Sequence, residues 1–139
     1  MMVYITRRER FNAAHKLWVD EWSEEKNLEM FGKCANKNWH GHNYTLYVTV
    51  KGHPDPHTGF VIDVKKLSKM IQRLIVDRVD HSNLNLDVPF IPAGMQPTTE
   101  NLVILFWKEL EPELREEACE LHKIQLWETE NIYAEYFGE

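Results

Sequence analysis

Two long segments in the first third of the chain alternate between apolar and polar positions, which is typical of β-strands that bury one face. The segment from Val3 to His15 alternates imperfectly, whereas the segment from His40 to Lys51 alternates well. One face of the second segment carries six apolar or ring-bearing side chains: His40, His42, Tyr44, Leu46, Val48 and Val50. The pattern predicts two strands, which we expect to pair as antiparallel neighbours.

Apolar residues recur at helical spacing in the middle of the chain. A helix is predicted to begin after Asp63 as its N-cap and to run to about Val79, so that Asp80 and His81 follow its end. A short strand from Phe60 to Ile62 is predicted just before the cap. The apolar face of this helix consists of Val64, Leu67, Ile71, Leu74 and Ile75.

A second helix and a β-hairpin are predicted in the last third of the chain. The helix is capped by Thr98 or Thr99 and closed by Pro112. Its apolar residues are Leu102, Val103, Phe106 and Leu110. The two strands of the predicted hairpin are Leu121–Glu128 and Ile132–Phe137.

Composition limits the fold and the class of function. With 139 residues, of which 43% are hydrophobic, the chain can build one core. We therefore expect a single α+β domain over residues 1–139, with a four-stranded antiparallel sheet and two helices on one face. No apolar run or basic leader points to a membrane or to export, so a cytoplasmic location without a membrane partner is expected. A net charge of −6 argues against a nucleic-acid partner.

Three histidines form a candidate metal site. Residues two apart on a strand lie about 6.5–7 Å apart on the same face, so His40 and His42 could bind one ion at about 2.0–2.1 Å from each nitrogen. Alternatively, both imidazoles continue the apolar stripe and make ordinary hydrogen bonds. His15, predicted on the neighbouring strand, could supply a third nitrogen. Three histidines with an open fourth position are typical of a catalytic zinc site.

Cys34 and the Asp80–His81 pair are candidates for proton transfer. Cys34 lies six positions before His40, so it could be a fourth ligand or a free thiol beside the ion, and the spacing does not decide. A nearby cation and Lys33 would lower the pKa of its thiol and make it a competent base or nucleophile. Asp80 could fix the tautomer of His81, although such a pair at a helix end is usually ordinary surface.

Glu128 shares one face of its predicted strand with Ile124 and Leu126, and it lies at the end of this inward-facing side. Burying its carboxylate without a partner would cost several kcal/mol. A planar ligand with adjacent N–H groups, such as an aminopyrimidinone ring, would satisfy both oxygens. The alternatives are a glutamate facing water, or one paired with Arg7 or Arg10.

Six segments, in this order and spacing, resemble one enzyme family: FNAAH, NLEMFGKCANKNWHGHNY, VKGHPDPHTG, VDHSNLNLDVPF, PTTENL and WETENIY. They cover nearly the whole chain and closely resemble the 6-pyruvoyl-tetrahydropterin synthase family. The resemblance implies the tunnelling fold, in which the sheets of three subunits join into a barrel, and two trimers stack into a hexamer with active sites at subunit interfaces. It also implies a zinc-dependent lyase that converts 7,8-dihydroneopterin triphosphate to 6-pyruvoyl-tetrahydropterin and triphosphate, in tetrahydrobiopterin-type biosynthesis.

The resemblance assigns roles residue by residue. It implies zinc ligands at His15, His40 and His42, catalytic residues at Cys34, Asp80 and His81, and pterin contacts at Glu128, Thr98, Thr99 and Glu100. Trp39 stands where animal members usually carry a small residue, which predicts a different pocket for the substrate side chain. The triphosphate contacts are not assigned, and the candidates by proximity in sequence are Lys16, Lys33, Lys37 and Arg10.

Two other functions remain open from sequence. The related 6-carboxytetrahydropterin synthase, of deazapurine (queuosine) biosynthesis, takes the same substrate and also releases acetaldehyde. Five residues separate Cys34 from His40, more than that enzyme typically has, which favours the pyruvoyl product. A catalytically inactive zinc-binding or pterin-binding protein is the third function, and the presence of Cys34, Asp80 and His81 disfavours it.

Overall fold

A mixed five-stranded sheet, with helices packed on one face, organises the chain. The structure is a computed structural model that describes residues 1–139. Its elements, in chain order, are β1 (Val3–His15), α1 (Glu24–Phe31), a 3₁₀ turn (Gly32–Ala35), β2 (His40–Gly52), α2 (Val64–Ile71), a π-helical turn (Gln72–Val76), α3 (Asp77–Val79), β3 (Ser82–Asn83), α4 (Thr99–Leu114), β4 (Glu120–Thr129) and β5 (Ile132–Tyr136). The predicted α+β class is confirmed.

The strands are ordered β3-β1-β2-β4-β5. The four long strands pair in antiparallel fashion, and β1 and β2 stay in register from the Val3–Gly52 pair to the His15–His40 pair. The fifth strand, β3, was not predicted and pairs in parallel with β1 over only two residues. One chain therefore forms an open sheet and not a closed barrel.

The core lies between the sheet and the helices α2 and α4. The alternation predicted for β2 is confirmed, because Tyr44, Leu46, Val48 and Val50 are all buried. The predicted cap of α2 is also confirmed, since the Asp63 carboxylate accepts the Lys65 N–H. Thr98 caps α4 by accepting the Asn101 N–H, which decides between the two candidate threonines. None of the helices is long and apolar enough to cross a membrane.

One predicted strand and one predicted helix end are wrong. Phe60–Ile62 forms no strand, because this segment has no partner strand and lies in the bend before α2. Pro112 does not end α4, which continues to Leu114. Pro112 removes one helical hydrogen bond, and burial of the Leu114 side chain holds the last turn against the core.

Candidate active site

Three imidazoles meet where β1 ends and β2 begins. His15 and His40 are cross-strand partners, and His42 lies two residues further along β2 on the same face. The ring centroids are 4.5, 5.0 and 4.9 Å apart, and one nitrogen from each ring lies within 4.8 Å of the others. Two nitrogens bound to one tetrahedral zinc ion are about 3.3–3.4 Å apart, so the most widely separated pair would need to close by up to about 1.5 Å. The three histidines could therefore hold a metal ion.

The ring nitrogens that face this cluster have no hydrogen-bond partner. His15 Nε2, His42 Nε2 and both ring nitrogens of His40 are buried and unpaired. Nearly all buried polar atoms in folded proteins are paired, so unpaired nitrogens on three adjoining rings indicate a ligand. The alternative in which these imidazoles only make ordinary hydrogen bonds is not what the structure shows.

The environment of His15 and His40 favours the form that binds metals. His15 Nδ1 donates a hydrogen bond to the Pro97 carbonyl, 2.8 Å away, which leaves the Nε2 lone pair directed at the cluster. Burial lowers the pKa of His15 to about 4, and the charges of His40 and His42 act in the same direction. Burial, followed by the charge of His42, also lowers the pKa of His40. Neutral imidazole is the form that a metal ion requires.

Glu128 lies beside the histidines with its carboxylate free. Its Oε1 is 3.4 Å from His15 Nε2 and 3.6 Å from His42 Nε2, and it accepts no hydrogen bond. The side chain is 17% exposed, so it does not simply face water. It does not pair with either candidate arginine, because Arg7 binds Glu9 and no ion pair joins Arg10 to Glu128. A half-buried carboxylate without donors is therefore available for a ligand beside the metal site.

Cys34 lies in the 3₁₀ turn after α1, and its carbonyl accepts the Leu17 N–H at 2.8 Å. Its sulfur is not among the clustered donor atoms, which comprise the three histidines alone. Burial, and then the negative charge of Glu128, raise the pKa of the thiol. The lowered pKa expected from the sequence therefore depends on a nearby cation.

Asp80 and His81 form a pair at the edge of β1. Asp80 Oδ1 accepts the Asn12 N–H at 2.9 Å, and its other oxygen is 3.0 Å from His81 Nδ1. His81 has a φ of 58°, a strained value for a non-glycine residue, and its N–H donates to the Asn12 carbonyl. The Asn12 hydrogen bond lowers the pKa of Asp80. The carboxylate is thus ionised and holds the imidazole in one orientation.

The Asp80–His81 pair is not bonded to the three histidines within one chain. No hydrogen bond or ion pair joins it to the histidines, to Cys34 or to Glu128. It does line, together with His42 and Glu128, an open cavity of about 980 Å³. The structure therefore brings the Asp80–His81 pair to the same cavity as His42 and Glu128 without a hydrogen bond or ion pair between them.

Thr98, Thr99 and Glu100 begin α4, where their roles are partly structural. Thr98 caps the helix, Thr99 is buried, and Glu100 is exposed. None of them makes a hydrogen bond or ion pair to the histidines or to Glu128. The preceding Pro97 carbonyl binds His15, so the start of α4 is tethered to the candidate metal site.

Tyr44 is a site residue that the sequence analysis placed only in the core. Its ring centroid is 5.7 Å from that of His42, and its buried hydroxyl has no hydrogen-bond partner. Burial and the negative charges of Glu128 and Cys34 raise the pKa of this phenol. Its position on the same face of β2 as His40 and His42 is a signal that could have identified it.

Comparison with known proteins identifies the family of the chain. A family model described as 6-pyruvoyl tetrahydropterin synthase matches residues 4–139. The chain is 42% identical to the 6-pyruvoyl tetrahydrobiopterin synthase of Homo sapiens over 135 residues, which are 97% of this chain and 91% of that protein. The Caenorhabditis elegans 6-pyruvoyl tetrahydropterin synthase structure superposes with a TM-score of 0.90 at 37% identity, covering 100% of this chain and 97% of that one.

A relative with a different name is more distant. The dihydroneopterin monophosphate aldolase of Pyrococcus furiosus is 30% identical over 128 residues, which are 92% of this chain and 91% of that protein. The match over almost the full length, the shared fold and the cluster of three histidines agree with the resemblance seen in the sequence segments. The chain belongs to the 6-pyruvoyl tetrahydropterin synthase family.

Proposed function

We propose that the protein converts 7,8-dihydroneopterin triphosphate to 6-pyruvoyl-tetrahydropterin with elimination of triphosphate. The observation that carries the proposal is the cluster of unpaired, buried histidine nitrogens beside the free carboxylate of Glu128. The histidines supply a metal site and the carboxylate supplies an acceptor for a pterin ring. Relatives named for this synthase are about 40% identical to the chain.

We propose zinc as the metal. Three imidazoles are the donor set of several catalytic zinc sites, and His15, His40 and His42 would hold the ion. When bound, zinc would supply Lewis-acid polarisation of the side-chain hydroxyls of the substrate. The hydrogen bond from His15 to Pro97 would fix the orientation of one ligand.

Glu128 would orient the pterin. Its two oxygens could accept adjacent N–H groups of the aminopyrimidinone edge, and its distance from His15 and His42 would place the ring beside the metal. Thr98, Thr99 and Glu100 are proposed as further pterin contacts, supported by the tether between the start of α4 and His15.

Cys34 would act as the base that removes a proton from the substrate side chain. Asp80 and His81 would carry protons on the other side, because Asp80 fixes the imidazole while 77% of the His81 side chain stays accessible. Since this pair is not bonded to the metal-binding histidines of its own chain, we propose that assembly completes the site. A pair from a neighbouring subunit could then face the histidines across the interface.

The open sheet supports the proposed assembly into a hexamer, a dimer of trimers. Outside the two residues that pair with β3, one edge of β1 is unpaired, and the edge strand β5 exposes Ile132 and Tyr133. Unpaired edges are rarely left open in stable proteins. Light scattering at micromolar concentration is expected to give about six times the chain mass of 16.5 kDa. A monomer under these conditions would contradict the assembly.

Product analysis tests the proposed reaction. The zinc-loaded protein is incubated with 7,8-dihydroneopterin triphosphate, and triphosphate, acetaldehyde and the pterin product are measured. We expect one triphosphate per pyruvoyl pterin and little acetaldehyde. Stoichiometric acetaldehyde with 6-carboxytetrahydropterin would identify the deazapurine-pathway reaction instead. Pterin binding without any product would identify an inactive binding protein.

A further inference from the structure

Lys16 and Trp39 face each other just beyond the metal-binding end of the β1–β2 ladder. His15 pairs with His40 in the ladder, so Lys16 and Trp39 are the next residues outward. The Lys16 ammonium lies 4.6 Å from the ring centroid of Trp18 and 5.6 Å from that of Trp39. Both distances fall within the roughly 6 Å range of cation–π attraction. The ammonium is therefore held against two indole rings.

The backbone around this ammonium is fixed by two side-chain amides. The Asn85 amide accepts the Lys16 N–H at 3.0 Å and donates to the Lys16 carbonyl at 2.9 Å. The Gln96 amide binds Trp18 in the same way, at 2.9 and 2.6 Å. Trp39 has a φ of 67°, which is costly for a bulky residue and persists where the surrounding structure over-determines it. The ammonium is thus preorganised.

The charge of Lys16 has no partner in the protein. Its ammonium makes no ion pair and no hydrogen bond, whereas Lys51, Lys66 and Lys123 each pair with a glutamate. Lys16 and both tryptophans line a cavity of about 250 Å³, where the only carboxylate is that of the exposed Asp20. A half-buried, oriented and unpaired cation in a cavity is suited to an anionic group of a ligand.

The other basic candidates fit an oligophosphate less well. Arg10 lines the larger cavity, but Asp80, Glu128 and Glu130 line it too, so three carboxylates would repel a polyanion there. Lys33 and Lys37 are exposed and make no contact with an aromatic ring.

Lys16 directly follows the candidate metal ligand His15 in the chain. The Glu128 carboxylate lies against two of the histidines, 3.4 Å from His15 Nε2 and 3.6 Å from His42 Nε2. Trp39 directly precedes His40, so the residues around the ammonium adjoin two of the three histidines along the chain. A ligand with its ring at Glu128 and its side chain at the histidines would extend its phosphates toward Lys16.

We propose that Lys16, held against Trp18 and Trp39, binds the triphosphate group of the substrate. The identity of the substrate rests on the proposed function, whereas the oligophosphate site rests on the geometry of Lys16. The Lys16 ammonium would bind the terminal phosphates, which are at the end of the substrate far from the pterin ring. This contact would contribute to substrate affinity.

Calorimetry with two separate ligands tests the proposal. Inorganic tripolyphosphate probes the phosphate site alone, and 7,8-dihydroneopterin, which lacks phosphate, probes the pterin site alone. In the zinc-loaded protein, Lys16→Met is expected to weaken tripolyphosphate binding about tenfold or more, the usual effect of losing a charged hydrogen bond. Binding of dihydroneopterin should stay within about twofold, because the pterin site is unchanged.

Matched variants make the result specific. Lys16→Arg keeps the charge and should bind tripolyphosphate within about threefold of wild type. Lys37→Met removes the same charge from a nearby exposed lysine and should stay within about twofold. Lys16→Gln provides a second neutral variant in case Lys16→Met does not fold, which thermal melting and zinc content would reveal.

Several outcomes overturn the proposal. The first two are a wild-type protein that does not bind tripolyphosphate, and a Lys16→Met variant that binds it as tightly as wild type. The other two are a Lys37→Met variant that loses as much tripolyphosphate affinity as Lys16→Met, and a Lys16→Met variant that loses dihydroneopterin affinity to the same extent as tripolyphosphate affinity. If turnover is normal while Lys16→Met binds tripolyphosphate like wild type, the phosphate site is wrong and the proposed function stands. If Lys16→Met loses tripolyphosphate binding as expected but the wild-type protein shows no turnover, the phosphate site stands and the proposed function is wrong.

Discussion

Replacing Cys34 by alanine is expected to reduce turnover of 7,8-dihydroneopterin triphosphate by about 10²–10⁴-fold, the usual range for a lost general base. Zinc should stay bound at one ion per chain, because the sulfur lies outside the cluster of histidine nitrogens. The hydrogen bond that the Cys34 carbonyl accepts from Leu17 is a backbone bond and survives the substitution. Steady-state kinetics and elemental analysis of the same sample measure both effects.

Cys119→Ala is the matched control for this variant. Cys119 is the other free cysteine, is buried in the core and lines a cavity separate from the candidate active site. Turnover in this control should remain within about twofold of wild type once folding is verified. If Cys34→Ala instead loses zinc together with activity, Cys34 is a metal ligand and its assignment as a base is wrong.

The long strands and helix caps could be predicted because their signals are local. Alternation along Val3–His15 and His40–Lys51 fixes which side chains face the core, and the capping side chains of Asp63 and Thr98 act within three residues. β3 could not be predicted in this way, because two residues carry no periodicity and their pairing depends on the folded position of β1.

The helix α1 was missed for a different physical reason. Its apolar residues Leu28 and Met30 are exposed, and its buried residue is the polar Asn27. The Asn27 amide holds the preceding segment by binding the Val19 backbone N–H and carbonyl at 2.8 and 3.0 Å. A helix held in place by a polar side chain gives no apolar stripe for periodicity to detect.

In the candidate site, too, local spacing could be predicted from the sequence, whereas contacts between distant residues could not. The spacing of His40 and His42 is local, and His15 followed from the antiparallel pairing of two predicted strands. The bond from His15 to Pro97 joins residues 82 positions apart. The arrangement of Asp80 and His81 depends on Asn12, which is 68 positions away. Contacts of this kind depend on tertiary packing and leave no pattern along the sequence.

His42→Ala is expected to weaken zinc binding by roughly 100-fold or more. Four-ligand structural zinc sites bind with about 10–16 kcal/mol, so an even division assigns about 3 kcal/mol to each ligand. The loss should be large here because His15 and His40 alone cannot surround the ion, and the structure offers no fourth residue within the cluster. Elemental analysis and chelator competition measure the change. His57→Ala removes a histidine whose side chain is 92% exposed, far from the cluster, and should retain full zinc. A zinc affinity in His42→Ala equal to that of wild type would show that the ion is held elsewhere.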